Sequence, residues 1–253
     1  MKLGAVSYLN ALPLVHYLAE RPRLAPPAAL DRLLRIGEVE LATAPVVTLC
    51  ENPSWKVVPG IAIATRSTAK SVRLIFKKQG ITLGDLRSIS LDLESKTSNL
   101  LLKVLLHYKY RRRLEDIHFY YPLPSSDADA ALFIGDKALK EEYRSLEGLD
   151  LGGEWTSWTG LPFVFAAWIG SAPEISEKQV QILREARDRA LKNLGELAKQ
   201  QSVLPELEAK RYLSENISYE FKGAEIEGLQ RFCAYAHELG LIQNDFQLSF
   251  YLK

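Results

Sequence analysis

The sequence predicts an α/β protein of two lobes sharing a ligand cleft, and three observations carry that reading. Apolar β-rich segments alternate with helical ones through the first two thirds of the chain. Several strands end in small or polar residues just before a helix begins. The alternation also runs as two βα series, one opening at Leu3 and the other at Ser88. Strand carboxyl ends that face helix starts are where α/β proteins hold ligands.

The first series opens with a short strand, Leu3 to Val6, whose carboxyl end carries Ser7, Tyr8 and Asn10. A helix is expected from about Leu12 to Glu20, with Pro13 in its first turn. Asn10 is uncharged yet both donates and accepts hydrogen bonds, while Ser7 and Asn10 serve equally well as helix caps. A second helix covers Pro27 to Ile36 and stops at Gly37. Glu40 to Pro45 reads as a strand closing on Ala42, Thr43, Ala44 and Pro45, small residues that leave room for a ligand, and Val46 to Cys50 begins another helix. Trp55 to Ala64 and Val72 to Lys77 are further strands, joined by a polar link that ends at Ser71. A short helical turn is expected over Ile81 to Leu86.

The second series begins with a strand at Ser88 to Leu93, a turn at 94–98, and a helix from Asn99 to Tyr110 with leucines at helical spacing. Ser95, Thr97 and Ser98 in that turn are candidate donors for a carboxylate or phosphate, because hydroxyls and unpaired N–H groups meet there at the positive end of a helix dipole. Ordinary N-capping is the alternative for the same residues. Strands follow at Ile117 to Tyr121 and Ala128 to Ile134, the latter running into Gly135 and Asp136 before a helix at Lys137 to Arg144. Asp136 is a cap, an orienting acceptor or a ligand contact. From Leu149 a loop leads through Gly160, Leu161 and Pro162 into a long apolar strand, which reads as a crossing between lobes. From Ser176 the chain is helical over 176–200, 205–214 and 224–239, with a β-prone link at Ile217 to Phe221, and these helices are expected to cover one lobe. The boundaries expected are 1–86 with 170–253 for a discontinuous first lobe and 87–169 for the second.

Composition excludes several function classes. The chain has 253 residues, 47% of them apolar, enough for a well-buried core. Lys plus Arg number 32 against 31 Asp plus Glu, so no global field draws in nucleic acid or an anionic membrane, and any anion must be caught locally. Cys50 and Cys233 are too few for a disulfide scaffold or a structural zinc site, and buried thiols without a disulfide are expected. His16, His107, His118 and His237 lack metal-ligand spacing, so no metal is predicted. The N-terminal segment lacks the long apolar stretch of a secretory signal and no segment is long enough to span a bilayer, which points to the cytoplasm. Trp155, Trp158 and Trp168 are candidates for the cleft; aromatic packing suits Trp168, and Trp158 is the better wall for a ligand.

Two βα series joined by two crossings describe the two-lobed, type II periplasmic-binding-protein-like fold. The motifs Ser-Tyr-Leu-Asn-Ala-Leu-Pro-Leu (7–14), Glu-Leu-Ala-Thr-Ala-Pro-Val (40–46), Ser-Lys-Thr-Ser (95–98), Leu-Phe-Ile-Gly-Asp-Lys-Ala-Leu (132–139) and Thr-Gly-Leu-Pro-Phe-Val-Phe-Ala-Ala-Trp (159–168) recur in order over about two thirds of the chain. In this the sequence resembles the chorismate dehydratase family of the futalosine route to menaquinone. The resemblance implies loss of water from chorismate to give 3-[(1-carboxyvinyl)oxy]benzoate, without a cofactor. It places Asn10 and Ser71 at the reacting atoms and Ser95, Thr97 and Ser98 on a carboxylate. It extends the substrate wall to Ser7, Tyr8, Ala44, Pro45, Gly135, Asp136, Trp158, Gly160, Leu161 and Pro162. The chain departs from many relatives at Ser67-Thr68-Ala69, where they carry a glycine, so the backbone before Ser71 is expected to differ. Two other readings share the fold: a carboxylate-binding module that does not react its ligand, normally an exported protein, and 1,4-dihydroxy-6-naphthoate synthase, whose N-terminal pattern Ser7 to Leu14 does not match.

Overall fold

In the computed structural model, which describes residues 1–121, 128–172, 174–243 and 246–252, two five-stranded sheets form among the described residues. The first contains β1 (Leu3–Val6), β2 (Arg23–Ala25), β3 (Leu41–Pro45), β4 (Lys56–Thr65) and β10 (Phe163–Gly170), in the order β2-β1-β3-β10-β4. The second contains β5 (Val72–Phe76), β6 (Ser88–Ser90), β7 (His118–Tyr120), β8 (Ala130–Ile134) and β9 (Gly148–Asp150), in the order β7-β6-β8-β5-β9. Both sheets are mixed in the same way: three parallel strands, then an antiparallel pair that includes a crossing strand.

The helices cover these sheets. They are α1 (Leu12–Val15), α2 (Pro27–Arg35), α3 (Val47–Glu51), α4 (Lys96–Val104), α5 (Gly135–Leu139), α6 (Glu141–Arg144), α7 (Leu151–Thr159), α8 (Glu177–Lys192), α9 (Leu194–Gln200), α10 (Glu206–Arg211) and α11 (Gly223–Glu238). A 3-10 turn, Leu9–Ala11, precedes α1, and π-helical turns continue α4 over Leu105–Lys109 and α10 over Tyr212–Asn216. β10 is buried along nearly its whole length, its alanines packed between β3 and β4, which is why it reads as one apolar run. Trp155 and Trp168 are fully buried, Trp168 within the core of the first lobe.

The lobes divide the chain differently from the boundaries expected. β5 lies in the second sheet, paired with β8 and β9, and β10 lies in the first, so the crossings fall at 66–71 and 160–162 rather than at 86/87 and 169/170. Local apolarity marks a strand without naming its partners, so β4 and β5, adjacent in sequence, look like neighbours in one sheet. Three elements also differ. The helix expected to reach Glu20 ends at Val15, and the short, exposed edge strand β2 follows Pro22. The segment after Leu149, expected as a loop, forms β9 and α7. Its Gly152-Gly153 pair lowers helix propensity, but a Cβ at either position would press on Thr65, Thr68 or Ala69, so the glycines allow close approach instead. Finally, α11 touches both β10 and α4, so the C-terminal helices bridge the lobes instead of covering one.

Candidate functional site

The carboxyl ends of β1, β3, β6 and β8 converge on a narrow cleft between the lobes, with a cavity of about 50 Å³. It is lined by Tyr8, Asn10, Pro45, Ser71, Ser95, Thr97, Ser98 and Gly135, with apolar walls from Val6, Ile63, Ile134 and Phe165 among others. Most of the candidate residues therefore meet in one place. None of the described residues lining it carries a carboxylate, an imidazole or an ammonium group.

Asn10 reaches the cleft from the 3-10 turn after β1, and its Oδ1 is buried without a hydrogen-bond partner. Ser71 is 2% exposed and opens β5; its Oγ is 3.3 Å from the Ala69 carbonyl, and its own carbonyl accepts the Gly135 N–H at 2.8 Å. Ser95, also in the cleft lining, caps α4 by accepting the Ser98 N–H at 3.1 Å, so for Ser95 the capping alternative is realised. The Thr97 hydroxyl is buried and unpaired. It sits beside the open N–H groups of the first turn, where the helix dipole favours an anion.

Tyr8 spans the cleft. Its hydroxyl donates to Glu94 at 2.6 Å, and burial followed by the Glu94 contact raises its pKa far above the usual phenol range, so it remains a neutral donor. Its ring lies against Gly135, whose φ of +60° and close approach both require glycine: a Cβ there would sit 2.5 Å from the ring. Asp136 lies outside the cleft lining. Its Oδ1 accepts the Leu9 N–H at 2.8 Å, capping the 3-10 turn of the other lobe, while burial raises its pKa against that bond.

Several expected wall residues lie elsewhere. Ser7 is exposed and uses its N–H on the Ala25 carbonyl, and Ala44 is enclosed within its sheet. Trp158 stacks on Tyr235 at 5.3 Å and on Tyr108 at 6.4 Å, an aromatic seam between α7 and α11, and is not a ligand wall. Gly160, at φ +71°, ends α7; Leu161 and Pro162 lead into β10, with the Pro162 carbonyl accepting the Trp155 indole N–H at 3.2 Å. These residues shape the crossing rather than the cleft.

The menaquinone-biosynthesis family model matches residues 1–238. The chain belongs to that family. A relative from Thermus thermophilus named chorismate dehydratase is 33% identical over 270 residues, which cover 94% of this chain and 95% of the relative. Among solved structures, a protein of Archaeoglobus fulgidus superposes with a TM-score of 0.75 at 17% identity, over 95% of this chain and 98% of that one. The periplasmic aliphatic sulphonate binding protein of Escherichia coli gives 0.66 at 16% identity, over 97% and 95%. These likenesses establish the two-lobed periplasmic-binding-protein fold.

Sequence reasoning about this menaquinone-biosynthesis family member missed three polar groups. Tyr212, in the π-helical turn after α10, brings its fully buried hydroxyl up to Ser71 and Asn10 without completing a hydrogen bond, and burial raises its pKa. Asp92 and Glu94 stand behind Tyr8: the Asp92 Oδ1 accepts the Glu94 N–H, its Oδ2 is buried and unpaired, and burial raises its pKa. Glu94 lies in the turn at 94–98 and Asp92 in the strand expected before it, and no motif singles either of them out. Tyr212 lies far away in sequence, in a segment with no motif. Across the first turn of α4 a wider hollow opens beside Leu93, Lys96 and Asn99, but its ammonium group is already paired with Asp31 and Glu51.

Proposed function

We propose that the protein is a chorismate dehydratase, a hydro-lyase that converts chorismate to 3-[(1-carboxyvinyl)oxy]benzoate and water. The observation that carries this reading is the meeting of Asn10, Ser71 and the open first turn of α4, with its free Thr97 hydroxyl, in one cleft otherwise walled by apolar side chains. That combination holds a carboxylate on one side and offers neutral donors to a leaving hydroxyl on the other.

The chemistry suits such a site. The ring C–H bond that breaks is conjugated through a ring double bond to the ring carboxylate, so holding that carboxylate at the α4 N-terminus acidifies the proton. The electron pair of that C–H bond forms the new ring double bond as the C–OH bond breaks, and the base that takes the proton passes it to the departing hydroxide, which leaves as water. Aromatisation drives the step, and no oxidant or reductant enters the balance. Orientation and electrostatic support are then the main demands on the protein. With Asp136 turned to the Leu9 N–H and no basic side chain among the described lining residues, the enolpyruvyl carboxylate of the substrate itself accepts the proton. Asn10 and Ser71 support the departing hydroxyl, and Tyr212 stands behind both.

The test is to incubate the purified chain with chorismate in buffer containing a chelator and to identify the product by mass and ultraviolet absorbance. An aromatic product lighter by one water supports the reading. Unchanged chorismate with ligand-induced thermal stabilisation favours a binding protein instead.

A further inference from the structure

We propose that Asp150 is a positioning residue whose carboxylate holds the turn Ala69-Lys70-Ser71 and so sets the direction of the Ser71 hydroxyl in the cleft. The proposal rests on the dehydratase reading, in which Ser71 meets the reacting atoms. The turn is an unusual one. The Ser71 N–H donates to the Ala69 carbonyl at 2.7 Å, closing a three-residue γ-turn across Lys70, which lies at φ +58°. Turns of this hand are rare and strained, and a residue with a Cβ keeps such a φ only where its surroundings impose it.

Asp150 supplies that constraint. It ends β9 opposite Arg73, and its Oδ1 accepts the N–H of Ala69 at 2.9 Å while its Oδ2 accepts that of Lys70 at 2.5 Å. Oδ1 also accepts the Gly153 N–H at 2.8 Å, which caps α7. One carboxylate therefore joins the two consecutive N–H groups of the turn to the start of a helix. Gly152 and Gly153 let that helix start pack directly on Thr65, Thr68 and Ala69. From the other side Asn216 donates its side-chain amide N–H to the Thr68 carbonyl at 2.9 Å, and its backbone carbonyl accepts the Thr65 hydroxyl at 2.8 Å. The segment before Ser71 is held from both flanks, and among the described residues Asp150 is the side chain that holds the left-handed residue. Strain kept at a turn beside a reacting group is a known means of fixing its geometry, and small errors in placement cost rate rather than affinity.

The experiment compares kcat, KM and thermal midpoint on chorismate for the parent chain, Asp150→Ala, Asp150→Ala with Lys70→Gly, and Lys70→Val. Asp150→Ala is expected to lower kcat about ten- to a hundred-fold with KM within about threefold. Adding Lys70→Gly is expected to return most of the lost kcat, because glycine takes a positive φ unaided. The thermal midpoint is expected to stay lowered in the double variant, since the α7 cap is still missing. A role confined to stability predicts the opposite, with kcat following the midpoint and no rescue, and that result overturns the proposal. Lys70→Val leaves Asp150 intact and changes an exposed side chain. It is expected to lower kcat several-fold because a β-branched residue resists this φ, and an unchanged kcat overturns the proposal even where Asp150→Ala fails to fold. An active parent with an unaffected Asp150→Ala variant removes the positioning role alone. A parent inactive on chorismate removes the dehydratase reading and this proposal with it.

Discussion

Asn10, Ser71 and Thr97 each leave hydrogen-bonding capacity unspent in the cleft. Asn10 keeps a buried Oδ1 without a partner, and Ser71 spends its hydroxyl only on a long contact to Ala69. Buried polar groups are normally paired, so an open one in a ligand cleft is a place kept for the ligand. Removing either group should cost what loss of one preorganised hydrogen-bonding group costs elsewhere, about a hundred-fold or more in kcat, with the fold intact. Steady-state kinetics on Asn10→Ala and Ser71→Ala, with circular dichroism to check folding, measures this. Asp136→Asn should behave differently, since an amide oxygen still accepts the Leu9 N–H: turnover is expected within about fivefold of the parent. A variant that lost turnover yet still bound product would instead make Asp136 the base. At this scale the sequence was legible where cleft-lining residues sit in motifs near strand ends, as at Asn10 and Thr97. It was illegible for Tyr212, whose value comes only from where a π-helical turn places it, and for Trp158, because an aromatic residue looks the same in a seam as in a wall.

Among the elements, the second sheet shows how one side chain organises several segments. Asp129, at the start of β8, accepts from Lys78, from the N–H groups of Arg87 and Ser88, and from the Ser88 hydroxyl, tying together the approaches to β5, β6 and β8. The Lys78 contact first, then the Arg87 N–H, holds its pKa down to about 2. A carboxyl whose pKa is lowered on folding adds stability above its ordinary value of 3.8, and loses it as pH falls toward 2. Asp129→Asn is expected to cost about 2 kcal/mol at neutral pH, and its unfolding midpoint should fall less steeply than the parent's between pH 4 and 2, as urea titrations at several pH values would show. The elements were largely readable: α2, β3, β4 and β8 lie within a residue or two of expectation, and β10 follows Pro162 as a long apolar strand, because apolar spacing and Gly or Pro punctuation fix them locally. α7 was hidden because two glycines serve contact with another segment rather than helix propensity, and β2 because three exposed residues carry no periodic signal.

For the molecule as a whole, the lobes are drawn together. Tyr8 to Glu94, Leu9 to Asp136, the Ala28 N–H to the Glu94 carbonyl, and Lys96 to Asp31 and Glu51 all run from one lobe to the other around the cleft. With about 50 Å³ free between the lobes, a ligand of more than a few atoms requires these contacts to loosen, which would couple closure to binding. Lys96→Met removes both ion pairs without touching the cleft lining. It is expected to raise KM about fivefold while leaving kcat within about twofold, a modest effect because the ammonium and Glu51 are partly exposed. Small-angle scattering should show contraction on adding the aromatic product, and less of it for the variant. The two-lobed architecture was readable from the paired βα series; the lobe boundaries were not, because strand pairing is a long-range choice. That choice has a genealogical reading. Thr65, the last residue of β4, stands opposite Phe163, the first of β10, as neighbours in one antiparallel ladder. Everything between them, the second lobe with both crossings, is thus spliced into what would otherwise be a plain hairpin, and exchanging 66–162 for a two-residue Asn-Gly turn should leave a miniature of the first lobe with its ladder unbroken.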